Sequence, residues 1–393
     1  MLTNDFGRFF TQKIHDIPSK LDRIDPSLNQ PDFSTRSSVQ EHSYTGTPFT
    51  NFEPISSEGI KKLVLNSPNK TYDNDPIPTK IVKDCINELL PTISNMVNLS
   101  LSSGDFPDIW KEGLVRPKLK KVNMDLIKKN YPPVSNLAFL SKITEKAANL
   151  QIYNHVSFNQ MFPEFQSAYR KYHSAETALL LMRNDILVSM NKEQVTLLVF
   201  LDLSAALIWL LQRPEYKFGI KDQAVTCFKS YLSNRSQRIV IGSAKSDSFD
   251  LKFGVPQGSC HGPMLFSLYT SELFDVINQH LPTAQSYADD TGIYLAFNPN
   301  DDCDQDAAIA AVEACLCDIR SWMINEKLMI NDSKTEFMLI GTKAQLQKTK
   351  SATLTIGESI ISPSTESLRN LGAWFDCHSN LNFNITKTSR SAF

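Results

Sequence analysis

The sequence lacks the features that define several classes of protein. Its seven cysteines are scattered and include no Cys-x-x-Cys pair, so neither a zinc ribbon nor a disulfide framework is indicated. Its most apolar runs, 195–201 and 205–211, reach only about a third of the ~20 residues that cross a bilayer. Asn4, Asp5 and Arg8 interrupt the region where a secretory signal becomes apolar. We therefore expect an intracellular protein of the nucleus or cytoplasm, not secreted, without disulfides and with no membrane association.

The chain also lacks an excess of charge of either sign. Forty Lys and Arg against 42 Asp and Glu give a formal charge of −2, which excludes a uniformly basic nucleic-acid-binding protein. The charge is segregated, however. Residues 111–146 contain nine Lys and Arg against three acidic residues, whereas residues 289–320 contain eight acidic residues against one Arg. A locally basic face can therefore still bind phosphates.

The apolar pattern predicts a mixed α+β fold. Residues 194–203 form a β-branched and Leu-rich run that is typical of a buried central strand. Residues 286–297 have the pattern of a hairpin with its turn at two aspartates, and residues 262–280 that of a helix. Strands and helices alternate without a regular βαβ period, which favours α+β over a doubly wound fold. At 393 residues the chain is long enough for two or three compact domains.

Aspartates lie at the end of the predicted central strand and at the tip of the predicted hairpin. Asp202 ends the apolar run, and Asp289 with Asp290 lies at the predicted hairpin tip. Three carboxylates on one sheet can hold two Mg²⁺ ions for phosphoryl transfer. A bare Asp-Asp pair is weak evidence, because a second pair, Asp301-Asp302, lies in a polar turn where solvation is the simpler reading. The apolar arms on both sides of Asp289 and Asp290 distinguish the first pair from the second.

A glycine-rich loop connects a predicted strand to the 262–280 helix. Residues 254–263 contain three glycines and two prolines, a composition that bends the backbone and allows a planar ligand or another backbone to approach closely. The residues alone leave two readings open, a ligand-binding loop and a structural strand-to-helix turn.

Taken in this order, the motifs resemble the reverse transcriptase of LINE-type (non-LTR) retrotransposons. The resemblance extends from about Phe52 to Phe393, and its principal blocks are Phe200–Ala206, Gly254–Phe266 and the YADD box at Tyr287–Asp290. Further matching segments are Asn95–Pro107, Tyr131–Asn136, Phe165–Arg170, Phe228–Leu232, Trp322-Met323, Asn331–Phe337 and Leu371-Gly372.

The resemblance implies an RNA-directed DNA polymerase with a right-hand fold of fingers and palm, in which helices flank an antiparallel palm sheet and the thumb is largely missing. It implies an RNA template, a DNA primer or target, deoxynucleoside triphosphates and two Mg²⁺ ions, with Mn²⁺ as a possible substitute. The expected segments are an N-terminal amphipathic helix at 1–24, a flexible linker at 25–51, a helical extension at 52–110, fingers at 111–194, palm at 195–345, and the end of the palm with the start of the thumb at 346–393.

The resemblance also assigns roles to individual residues. Asp202, Asp289 and Asp290 are the expected catalytic metal ligands, and Lys334 the residue that protonates the pyrophosphate leaving group. The expected substrate-binding residues are Lys118, Lys120, Lys121, Arg170, Leu207, Gln257 and Gly258, with Leu207 at the position that contacts the sugar. Simpler readings remain for some: a solvated turn at Lys334, an exposed hairpin face for the three lysines, and an anchor for backbone carbonyls at Arg170.

Departures from the family pattern support a second hypothesis. Residues are missing after Ala206, and Leu207 replaces the usual Phe or Tyr. Pro132 replaces the arginine that would grip the triphosphate, a contact that a proline ring cannot make. His261 and Glu326 replace the usual Leu and Asn. The alternative is therefore a catalytically impaired retrotransposon remnant, at most a nucleic-acid-binding protein acting through residues 111–146.

Overall fold

The structure is a computed structural model. It describes residues 2–24, 44–70, 72–73, 75–121, 123–205, 217–251, 255–280, 283–326, 328–330, 334–357 and 359–392, with the backbone alone at 14–24, 202–205, 329–330 and 391–392. Most of the predicted linker, residues 25–43, lies outside the described residues.

Helices and strands alternate irregularly along the chain, which confirms the α+β prediction. The helices are α1 (Leu2–Ile24), α2 (Ser57–Leu65), α3 (Thr79–Asp84), α4 (Ile86–Ser103), α5 (Phe139–Phe158), α6 (Ala175–Asn191), α7 (Asp222–Leu232), α8 (His261–Tyr269), α9 (Leu273–Asn278), α10 (Asp302–Asn325), α11 (Lys343–Leu346) and α12 (Asn382–Ala392). The strands are β1 (Glu112–Val115), β2 (Ser135–Asn136), β3 (Val195–Ala205), β4 (Ser236–Ile241), β5 (Ala244–Lys245), β6 (Phe249–Asp250), β7 (Thr283–Tyr287), β8 (Asp290–Phe297), β9 (Leu328–Ile330), β10 (Glu336–Ile340), β11 (Leu354–Ile356), β12 (Ser359–Ile361), β13 (Leu368–Asn370) and β14 (Ala373–Phe375).

The chain folds into two compact units. The first unit comprises Met1–Met161 and Ala206–Tyr269, and the second comprises Phe162–Ala205 and Thr270–Phe393. The predicted 262–280 helix is interrupted at this boundary, since α8 ends at Tyr269 and a 3₁₀ turn, Thr270–Glu272, precedes α9. Thr270 and Ser271 are buried hydroxyl residues, which favour local alternatives to helical geometry.

The first unit contains a mixed sheet whose strand order is β2-β1-β4-β5, with β6 also paired to β4. Helix α1 packs on this sheet through Phe6 and Phe10, which form an apolar cluster with Val115 and Ile239. Asn4 attaches the start of the helix to Asp247. Its side chain donates to the Asp247 carboxylate (2.8 Å) and accepts from the Asp247 amide (2.9 Å). The N-terminal helix is therefore part of the core of this unit.

The second unit is built on an antiparallel sheet of order β10-β3-β8-β7, with β9 paired to the end of β3. Strand β3 lies between β8 and β10, and Leu197, Leu198 and Val199 are completely buried. This confirms the prediction of a buried central strand at 194–203. Helix α6 covers one side of the sheet, where Met182 joins the apolar cluster around Leu198.

None of the described helices is both long and apolar enough to span a membrane.

Replacement of Phe10 by Ala should destabilise the first unit. Phe10 is 2% exposed, and the loss of a buried phenyl ring commonly costs about 3–5 kcal/mol. The matched control is Leu2→Ala on the same helix, since Leu2 is 58% exposed and its loss should cost less than about 0.5 kcal/mol. Urea unfolding monitored by circular dichroism measures both; equal stabilities for the two variants would show that α1 is not packed on the sheet.

Candidate active site

The β7–β8 hairpin brings the two adjacent aspartates to the end of the central strand. Tyr287 pairs with Asp290, so that Ala288 and Asp289 form a two-residue turn. This confirms the hairpin predicted at 286–297. In the adjoining ladder, Asp290 pairs directly with Asp202 on β3. Residues directly opposite each other in an antiparallel ladder have Cα atoms about 4.5–5.5 Å apart, so the register brings together the backbones of the three predicted metal-ligand positions.

The carboxylates of the turn are accessible to solvent. Asp289 is exposed and Asp290 is half-buried. Tyr169 lies in the electrostatic field of this turn: its pKa is raised, first by its own burial and then by its electrostatic interaction with Asp289 and Tyr287. The family resemblance gave Tyr169 no role, although this residue lies in the matching segment Phe165–Arg170.

The donors at this position suit a hard divalent cation, because Mg²⁺ prefers carboxylate oxygens and Asp289 offers such oxygens in an open turn. Among the side chains that the structure describes, no group of three His, Cys, Asp or Glu residues is arranged to hold a metal. The Asp202 side chain is not among them, so the described metal donors of this position are Asp289 and Asp290.

Lys334 lies just before strand β10, at the end of the sheet where β3 carries Asp202. It is exposed and precedes Glu336, which pairs with Phe200 on β3. Because the two strands are antiparallel, Lys334 and Asp202 are both two residues beyond this pair, at the same end of the ladder. The second unit therefore brings together the sequence positions of all four predicted catalytic residues.

Arg170 belongs to the same unit and binds its own loop. One guanidinium nitrogen donates to the carbonyl oxygens of Pro163 (2.9 Å) and Gln166 (3.1 Å), and the guanidinium lies 5.5 Å from the Phe162 ring centroid. These contacts support the anchoring reading of Arg170, and a substrate contact stays a prediction.

The glycine-rich loop lies in the first unit, where it passes against β2. The Ser135 amide donates to the Gln257 carbonyl oxygen (2.7 Å), and Gly258 has a φ of 110°. A Cβ atom on Gly258 would come within 2.6 Å of the Ser135 carbonyl oxygen. Glycine is therefore required here by the approach of a neighbouring backbone, the structural reading of the loop. Gln257 and Gly258 are both exposed, so a substrate contact stays a prediction.

A buried carboxylate holds the end of this loop, and sequence reasoning did not identify it. Glu145 on α5 accepts hydrogen bonds from the Cys260 amide (2.6 Å) and the His261 amide (3.1 Å), at the start of α8. Burial raises the pKa of Glu145, while the Arg235 charge and these hydrogen bonds act in the opposite direction. The His261 ring contacts the Asn149 side-chain oxygen (2.5 Å), so the residue that replaces the usual Leu is integrated into the loop's anchorage.

The predicted phosphate-binding lysines are also in the first unit. Lys118, Lys120 and Lys121 are all exposed, and the Lys120 amide donates to the Asn130 carbonyl oxygen (3.0 Å), which closes the segment into a loop. Leu207, the predicted sugar contact, lies outside the described residues.

Comparison with known proteins identifies the class to which this fold and site belong. The family model of the reverse transcriptases, RNA-dependent DNA polymerases, matches residues 117–375. The chain therefore belongs to the reverse transcriptase family.

Its relatives come from mobile elements. The chain is 26% identical over 315 residues to the RNA-directed DNA polymerase from mobile element jockey of Drosophila melanogaster, an alignment that covers 75% of this chain and 33% of the relative. It is also 26% identical over 293 residues to the probable RNA-directed DNA polymerase from transposon X-element of the same species, covering 73% of this chain and 32% of the relative. These relatives confirm the predicted LINE-type family, and the chain spans about a third of their length.

The buried His261 should make stability depend on pH. Burial, with the nearby Arg235 charge, lowers the pKa of His261 from 6.5 to about 3. Above pH 6.5 the imidazole is neutral in the folded and unfolded states, whereas between pH 6.5 and 3 only the unfolded state binds the proton. The His261 contribution to stability is therefore complete above pH 6.5 and decreases as the pH falls, by at most about 1.4 kcal/mol per pH unit.

A comparison of His261→Gln with the wild type isolates this contribution, since both contain Glu145. Urea unfolding from pH 7 to pH 4 should show a shallower loss of stability for His261→Gln, and an unchanged slope for the control His378→Gln at an exposed site. Parallel curves for wild type and His261→Gln would contradict the assignment of a buried neutral imidazole.

Proposed function

We propose that this chain carries the catalytic part of an RNA-directed DNA polymerase, which adds deoxynucleotides to a primer 3′ hydroxyl on an RNA template. The observation that carries the proposal is the register of β3 and β8, which pairs Asp202 with Asp290 beside the exposed Asp289. Family membership supports the same reaction.

Two Mg²⁺ ions, or Mn²⁺ in their place, would supply an activated 3′ oxygen and a stabilised leaving oxygen when held by Asp202, Asp289 and Asp290. The three carboxylates would hold these ions, and the primer 3′ oxygen would bond to the α-phosphate as the bond from that phosphate to pyrophosphate breaks. Lys334 would donate a proton to the departing pyrophosphate, a role for which an exposed ammonium group at the same end of the sheet is suited.

The first unit contains the residues that we assign to substrate binding. Lys118, Lys120 and Lys121 would contact the phosphates of the triphosphate or template, since a flexible ammonium group binds phosphate whatever the base sequence. Gln257 and Gly258 would border the incoming nucleotide. In the terms of a right-hand polymerase, we assign residues 111–194 to the fingers and 195–345 to the palm, and place the reaction in the nucleus or cytoplasm.

A second function is favoured by specific residues of the sequence. Pro132 offers no side-chain donor to a triphosphate, and Leu207 replaces an aromatic side chain at the predicted sugar contact. A chain that had lost turnover for these reasons would still hold the exposed lysines at 118, 120 and 121, and would remain a nucleic-acid-binding protein.

Primer extension separates the two functions. Purified protein with Mg²⁺ and deoxynucleotides should extend a DNA primer on an RNA template, and Asp289→Ala should reduce the rate at least about a hundredfold, because it removes a carboxylate from the metal position. The matched control is Asp302→Ala in the other Asp-Asp pair, where Asp302 forms an exposed ion pair with Lys350; its rate should be unchanged. Absence of extension, or equal loss in both variants, would exclude the polymerase proposal.

The lysine assignment is tested by the salt dependence of binding. Each phosphate contact on a duplex contributes about 0.9 to the slope of log affinity against log salt concentration. The double variant Lys120→Gln with Lys121→Gln should weaken binding to a primer–template duplex and lower this slope by about 1 to 2. The control Lys348→Gln, at an exposed site in the second unit, should leave the slope unchanged. Titrations by fluorescence anisotropy between 50 and 300 mM salt measure this slope. An unaltered slope in the double variant would show that the two lysines do not contact phosphates.

A further inference from the structure

A buried glutamine side chain is bound to the turn that carries the catalytic aspartates. Gln166 is completely buried, although it lies more than 120 residues before the turn in sequence. Its side-chain oxygen accepts from the Ala288 amide (2.9 Å) and from the Ala168 amide (2.9 Å). Its side-chain nitrogen donates to the Ala288 carbonyl oxygen (3.2 Å) and to the Ser286 hydroxyl (3.3 Å). All four hydrogen-bonding positions of the amide are therefore used.

Two of these bonds go to a residue with a strained backbone. Ala288 has a φ of 60°, the left-handed conformation that disfavours any side chain with a Cβ atom. Ala288 has a positive φ and Asp289 does not, and the first position of a two-residue hairpin turn of this kind usually carries glycine. Gln166 binds both the amide and the carbonyl oxygen of Ala288, so it acts on the peptide groups on either side of the strained torsion angles.

The segment that contains Gln166 is itself fixed to the hairpin. The Ser167 amide donates to the Ser286 carbonyl oxygen (2.9 Å), and the Ser286 amide donates to the Phe165 carbonyl oxygen (2.9 Å), which makes a short parallel bridge along β7. The Arg170 guanidinium holds the same segment through the Pro163 and Gln166 carbonyl oxygens. The glutamine therefore reaches the turn from a rigid support.

We propose that Gln166 is a positioning residue, which holds Ala288 in the left-handed conformation and thereby sets the direction of the Asp289 and Asp290 carboxylates toward divalent cations. This inference rests on the proposed polymerase function for its purpose, but the contact itself can be tested without turnover. The relative backbone positions of Tyr287, Asp289 and Asp290 depend on the torsion angles of Ala288. A relaxed turn would therefore move the two carboxylates away from the position opposite Asp202.

The chain offers a matched control for this contact. Gln305 is also buried and also binds the amide (3.0 Å) and the carbonyl oxygen (3.1 Å) of a single residue, Lys350, in the same unit. Replacement of either glutamine by Met keeps side-chain length and removes the amide. A general loss of packing affects both variants, whereas a loss of positioning affects only Gln166→Met.

The test uses the full chain in three variants: Gln166→Met, Gln305→Met, and Gln166→Met combined with Ala288→Gly. Binding of Mn²⁺ alone, measured by electron paramagnetic resonance, reports the carboxylates, and hydrogen exchange of the peptide containing 285–291 reports the turn. Gln166→Met should weaken Mn²⁺ binding and accelerate exchange by about tenfold each, the usual effect of a lost buried hydrogen bond. Gln305→Met should change neither quantity by more than about twofold.

The added Ala288→Gly should restore most of the Mn²⁺ affinity, because glycine adopts the left-handed conformation without support. A purely structural role for Gln166 predicts no such rescue. Equal behaviour of Gln166→Met and Gln305→Met, or absence of rescue, would overturn the proposal. If the wild type neither binds Mn²⁺ nor extends a primer, the proposed polymerase function is excluded. The exchange measurement then still decides whether Gln166 holds the turn. Unchanged exchange in Gln166→Met overturns this role, and accelerated exchange in Gln166→Met alone supports it.

Discussion

The hydrogen-bond register between β3 and β8 is the constraint on which the candidate active site depends. Leu198 and Phe200 are buried in one apolar cluster with Tyr294 and Met338. A slip of one residue would move every side chain of a strand to the opposite face of the sheet. The same slip would remove Asp290 from its place opposite Asp202. Burial of the hydrophobic core therefore fixes the alignment of carboxylates that lie at its edge.

Two ionisable side chains are buried inside the first unit, where hydrogen bonds and a neighbouring aromatic ring offset part of the cost of burial. Glu145 and Arg235 are both buried, and transfer of such groups from water is unfavourable unless they are paired and bonded. The Glu145 carboxylate accepts from two successive backbone amides and from the Ser141 hydroxyl (2.9 Å), while Arg235 donates to the Tyr231 carbonyl oxygen (3.2 Å). The hydrogen bonds of Glu145 therefore join helix α5 to the start of α8.

The sequence predicted the parts of the site that depend on local pattern. The apolar run before Asp202 and the hairpin around Asp289 could be predicted because a buried strand is made of consecutive apolar residues. Gln166 and Glu145 could not be found in this way, since their partners lie more than 100 residues away and a polar residue on a loop or helix has no distinctive pattern. The break between α8 and α9 was missed because an unbroken helical pattern crosses the boundary of the two units. Leu207 was predicted as a substrate-binding residue, and it lies outside the described part of the chain.

The docking of α1 has a consequence for synthesis of the chain. Phe6 and Phe10 leave the ribosome before their partner Ile239 on β4, which follows more than 220 residues later. At about 5–20 residues per second, the apolar face of the helix must remain without β4 for roughly 10–45 s. During that interval two phenyl rings are available to chaperones or to other nascent chains. Helix α1 can thus complete its core only after β4 has been synthesised.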